Sequence, residues 1–134
     1  MAAFIAKLRQ VLAELGRPGA QRDNWFAWAA GQTAHAMIGA VLAGGMLFFL
    51  PAIWAFMAAA LGYALLKEVP DYLRAPGWSG ARDSVQDSLF VASGAALAVA
   101  IRGDHERLFL VAVCAAVIGL GLGVWARIAP GVGK

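Results

Sequence analysis

From Asn24 to Leu66 the chain carries no Asp, Glu, Lys or Arg. That run is the strongest constraint on the fold. As one helix it would be roughly 65 Å long, about twice the hydrocarbon thickness of a bilayer. The chain must therefore turn inside it, and "GGMLFFLP", residues 44–51, has the glycines and proline for a turn. The spacing predicts one span over Trp25–Leu50 and a second over Pro51–Leu66, closed by Lys67 and Glu68. Asp23 and Asn24 can cap the first, and Trp25 and Trp28 suit a membrane–water boundary.

Further on, Pro70, Pro76, Gly77 and Gly80 predict a loop. A third span is expected from about Asp83 to Ile101, with Asp83 or Ser84 as a natural N-cap. "RGDHER", residues 102–107, reads as a turn, and Leu108–Ala126 as a fourth span. Ahead of all this, residues 3–15 read as an amphipathic helix. Phe4, Ile5, Leu8, Val11, Leu12 and Leu15 fall on one face, and Gly16 and Pro18 stop it. Such a helix suits the membrane interface. The expected fold is all-α: a polytopic membrane bundle of about four transmembrane helices, residues 23–134, preceded by an amphipathic helix and linker, residues 1–22.

Composition agrees. Hydrophobic residues make up 61% and charged ones 14%, against about 45–50% and 25% in ordinary globular domains. The basic residues are scattered, which argues against nucleic acid as a partner. Cys114 is alone, so no intrachain disulfide forms, and no Cys/His spacing indicates a metal or other cofactor. Mixed charges in "MAAFIAKLRQVLAELG" argue against a cleaved signal. Nine Lys/Arg fall in the N-terminal segment, middle loop and tail, against Arg102 and Arg107 on the other side. That bias predicts cytoplasmic termini in a bacterial inner membrane.

Small residues supply packing seams: Gly31, His35 and Gly39 on the first span; Ser88, Ala92, Ala96 and Ala100 on the third; Ala115, Gly119 and Gly123 on the fourth. In lipid such seams let helices approach closely. They fit a bundle within one chain and a homo-oligomer equally.

The polar residues are few and grouped. Gln32 and His35 share a face of the first span, Glu68 ends the second, and Asp83, Gln86 and Asp87 begin the third. Ionisable groups in a bilayer are costly and tend to face inward and pair, so His35 is expected to meet Asp87 or Glu68. Capping, first-turn placement and an exposed Lys67–Glu68–Asp71–Arg74 charge pattern are the structural alternatives to a ligand site. "GWSGA", residues 77–81, lacks the strand–turn–helix setting of a nucleophile elbow, and no catalytic residue is assigned.

His35, Glu68, Arg82, Asp83, Asp87 and Gly94, with "SGAA" at 93–96, resemble the pattern of VanZ-like small membrane proteins over residues 32–96. Asp87 stands where that family tends to have Asn, and no clear counterpart of the family's Gln follows Glu68. The resemblance implies a role at the cell envelope, with an intramembrane site that binds or acts on an envelope lipid or glycopeptide. In architecture the chain also resembles bacteriophage holins and virion ejection proteins. That likeness implies a phage-encoded, non-enzymatic protein whose copies assemble around a membrane passage, and it is the preferred expectation from sequence. A structural subunit among other membrane subunits is the third.

Overall fold

The computed structural model describes residues 5–6, 24–74 and 76–128. The amphipathic helix at 3–15 and the linker to residue 22 lie outside the described residues, apart from Ile5 and Ala6, which are helical. Four long helices follow, all of them α in class: α1, Trp25–Met46; α2, Ala52–Arg74; α3, Trp78–Gly103; and α4, Glu106–Ile128. Three of them, α2, α3 and α4, are long and apolar enough to cross a membrane. With 22 residues α1 has the length, but Gln32, Thr33 and His35 dilute its apolar character.

Asn24 starts α1 as its side chain allows. Its Oδ1 accepts the N–H groups of Phe26 and Ala27 at 3.0 and 3.1 Å, a cap that contributes about 1 kcal/mol. The helix ends at Met46 and turns at 47–51, inside the glycine- and proline-bearing segment expected to do so.

The middle loop differs from expectation. The second span does not stop at Leu66, and Pro70 and Gly80, expected in a loop, are helical. Instead α2 continues to Arg74, and α3 begins at Trp78, behind Gly77 at φ 147°. What carries the chain past Pro70 is a π-turn over Ala64–Glu68, where the Val69 N–H bonds the Ala64 carbonyl. A proline inside an α-helix loses a bond and strikes the carbonyl four residues back. The wider turn just before Pro70 relaxes that ladder. Asp83 is therefore not a cap: it lies in the second turn of a 26-residue helix. The turn at 102–107 is likewise shorter. Asp104, at φ 55°, caps α3, and the His105 N–H bonds the Ala100 carbonyl at 2.9 Å.

Contacts group the described residues into a larger unit, Gln32–Ile118, and a smaller one made of residues up to Gly31 and from Gly119. In the larger unit the core is built of very small side chains. Ala43, Ala59 and Ala95 are fully buried, with Met46, Phe56 and Ala98 packed on them. Gly39 and Gly94 bring α1 and α3 together. A Cβ at Gly39 would overlap the Val91 carbonyl, and one at Gly94 the Ala36 carbonyl. In the smaller unit the Trp28 indole lies on Gly123 under the Arg127 guanidinium, 4.1 Å from the ring centre. Trp28 is thus buried and no boundary anchor, whereas Trp54, Trp78 and Trp125 are exposed.

The large apolar side chains face outward. Phe48, Phe49, Leu66, Leu73 and Trp125 are each more than two-thirds exposed, while the buried set is mostly alanine and valine.

Candidate functional site

The inward face of α2 steps by four through Ala55, Ala59 and Tyr63. The next step would bury Lys67. The π-turn inserts one extra residue, so the face passes to Glu68. Glu68 is 5% exposed, while Lys67 lies outside. Single π-turns recur at functional positions because they re-aim one side chain without ending the helix.

Three helices then deliver one ionisable group each. His35 comes from α1, Glu68 from α2 and Asp87 from α3. One ligand-type atom from each lies within 4.8 Å of the others. Gln32, one turn before His35, is 2% exposed, and its Nε2 donates to Asp87 Oδ1 at 2.7 Å. His35 Nδ1 is 3.6 Å from the same oxygen. The Tyr63 ring meets His35 edge-on at 5.8 Å, and its hydroxyl is turned towards Glu68.

The cluster is short of partners. Gln32 Oε1, His35 Nδ1 and Glu68 Oε1 are buried without a hydrogen bond. Lys67 Nζ reaches Glu68 Oε1 only at 3.7 Å and is bound to Asp71, which also takes Arg74 Nη1 at 2.9 Å. Buried polar atoms are normally satisfied, and three unbonded atoms on Gln32, His35 and Glu68 set this cluster apart.

Two cavities meet at Glu68. A polar recess of about 160 Å³ is lined by Lys67, Asp71, Asp83 and Asp87 among others. An apolar groove of about 450 Å³ runs between α2 and α3 along Leu61, Ala64, Val85 and Leu89. Glu68 and Ser84 line both, and the Ser84 hydroxyl donates to the Glu68 carbonyl at 3.4 Å.

Of the residues singled out in the sequence, Gln32, His35, Glu68 and Asp87 come together. Asp83 is exposed and lines the recess, four residues from Asp87. Gln86 is half-buried and does not line the recess. Among the seam residues Gly39 and Gly123 are buried; Gly31, Ala92, Ala96 and Gly119 are half-buried; Ala115 is exposed. The sequence offered no metal spacing, because each donor comes from a different helix. Tyr63 was missed as well. Its signal was its place four residues after Ala59 on the inward face.

Chemically, an imidazole and two carboxylates grouped in this way can exchange a proton or hold a cation. No protein-family model, no curated protein and no solved structure matches the chain.

Proposed function

We propose that this chain is an integral membrane protein whose work is done at the Gln32–His35–Glu68–Asp87 site, and that it binds an envelope lipid there. The inverted surface supports the bilayer. Exposed apolar side chains of this number would be an aggregation hazard in water, whereas lipid solvates them and leaves small residues to pack inside. The observation that carries the ligand class is the junction at Glu68 of a polar recess and an apolar groove. An amphiphile fits that junction, with its head in the recess and one chain along Leu61, Val85 and Leu89. Four carboxylates against one ammonium in the recess favour a head that donates, an amine or a hydroxyl, over a bare anion. The resemblance to VanZ-like proteins agrees with this reading.

Photo-crosslinking with phosphatidylethanolamine carrying a diazirine on one acyl chain tests it. Labelling is expected to map to the α2–α3 groove and to fall about tenfold in Glu68→Gln and Val85→Trp, with Leu122→Ala unchanged. Equal labelling of all three variants would remove the lipid site.

A second reading, a passage formed by several copies, is favoured by α4. Ala115 is exposed, and Gly121, on another side of the helix, has open space beside it; either position would let a second copy approach closely. Liposomes loaded with dye are then expected to leak when the protein is added. Tight vesicles together with a monomeric detergent complex would remove this reading.

A further inference from the structure

We propose that His35, Glu68 and Asp87 hold one divalent transition-metal ion, with zinc the best match. The inference deepens the site proposed above, and it rests on that site being one cluster, not on the lipid.

The donor set is the first argument. One imidazole and two carboxylates are mixed nitrogen and oxygen ligands. Imidazole selects zinc and its neighbours over magnesium and calcium, which prefer all-oxygen shells. Three protein ligands with a fourth position open is the arrangement of zinc sites that act on a bound molecule.

Geometry is the second. Two ligands each about 2.1 Å from zinc stand about 3.4 Å apart in a tetrahedral shell. His35 Nδ1 and Asp87 Oδ1 stand 3.6 Å apart, and one ligand-type atom from each of the three residues lies within 4.8 Å of the others. Each donor sits on a different long helix, so the cluster is held by the same contacts that hold α1 on α3.

The orphaned atoms are the third and point most directly to a ligand. His35 Nδ1 and Glu68 Oε1 are buried without a hydrogen bond, and Glu68 as a whole is 5% exposed. Both atoms are ordinary metal donors. A +2 ion would engage them and offset the charge of Glu68 and Asp87, one carboxylate buried and one partly exposed at the recess. Lys67 offsets that charge only in part: its ammonium is bound to Asp71 and stands 3.7 Å from Glu68 Oε1. Gln32 completes the picture from behind. Its Nε2 holds Asp87 Oδ1 at 2.7 Å, as outer partners of metal-binding carboxylates do. Asp83, exposed at the recess and four residues from Asp87, adds negative charge on the side from which a cation would enter.

The test uses the full chain purified in detergent, stripped with chelator and dialysed. Zinc titrated by calorimetry is expected to bind at one ion per chain, confirmed by elemental analysis. Cobalt in its place should give visible d–d absorption. His35→Ala, Glu68→Gln and Asp87→Asn are each expected to lower zinc affinity more than a hundredfold. Gln32→Leu should lower it about 10–100-fold, and His105→Ala should leave it unchanged. Circular dichroism of Glu68→Gln and Asp87→Asn, which keep their shape, checks folding. Zinc binding that survives all three ligand variants, or no stoichiometric binding at all, overturns the proposal. The metal and the lipid fail separately. No zinc uptake in the titration, with lipid labelling that still depends on Glu68, refutes the metal alone. Zinc bound with labelling indifferent to the groove refutes the lipid alone.

Discussion

Gly94→Ala is expected to cost this fold about 3 kcal/mol, the upper end of what overpacking does. The reason lies in what the new methyl would meet. Its neighbours at Gly94 are the Ala36 carbonyl oxygen, carbonyl carbon and Cα, all backbone. A side chain in the way can change rotamer, but a helix backbone can give only by moving the whole helix. Separating α1 from α3 would also open the contact at Gly39 with Val91 and the fully buried Ala43, Ala59 and Ala95 beside it. In a bilayer no hydrophobic term rewards pressing the helices together again, so lost packing is not recovered.

Gly39→Ala should cost a similar amount for the reciprocal reason. The double variant should cost clearly less than the sum, because the first methyl already moves the helices apart and makes room for the second. Gly121→Ala is the control. Nothing lies within 4 Å of a Cβ there, and an alanine in mid-helix is favoured over glycine by up to about 1 kcal/mol. Reversible unfolding in mixed micelles, followed by circular dichroism, measures all four. If Gly94→Ala unfolds within about 0.5 kcal/mol of the parent, the close crossing of α1 and α3 is wrong.

That crossing shows how far the sequence could be read. Small residues at i, i+4 spacing announced seams, and Gly39 was among them. Which seam met which was hidden, since spacing within a helix says nothing about its partner. The turn at 47–51 was legible because glycine and proline act locally. The stretch from Lys67 to Arg82 misled for the same reason. Charges, Pro70 and Gly80 are local signals for a loop, but a π-turn before Pro70 and continued helix beyond it depend on packing against α3. That turn also decides that Glu68, and not Lys67, faces inward, so the sequence could name Glu68 without being able to aim it. Gln32 and His35 were legible as a pair by their i, i+3 spacing, and Asp87 as a natural partner by its chemistry. Trp28 was misread because indoles favour interfaces on average, and nothing local shows that Arg127 will lie over this one.

Gln32 and Asp87 allow the structural and functional meanings of the cluster to be separated. Asp87→Leu is expected to cost about 2 kcal/mol, because it strands the Gln32 amide at a position 2% exposed. Gln32→Leu should cost about 1 kcal/mol. It removes one bond from a carboxylate whose side chain is still 21% exposed at the recess, and the leucine buries well. The double variant should cost about 1 kcal/mol or less, since neither orphan remains. The coupling between the two is then about 2 kcal/mol, near the upper end for polar pairs inside membranes and ordinary for a hydrogen bond to a charged group. If the cluster existed to hold helices together, the all-leucine pair would be a poor replacement for it. An apolar pair that folds nearly as well as the parent, yet loses both zinc and lipid labelling, means that the polar residues are kept for what they bind, at a cost to stability. A coupling below about 0.5 kcal/mol in the double-mutant cycle would remove the Gln32–Asp87 bond from the account and with it the backing that fixes Asp87 in the site.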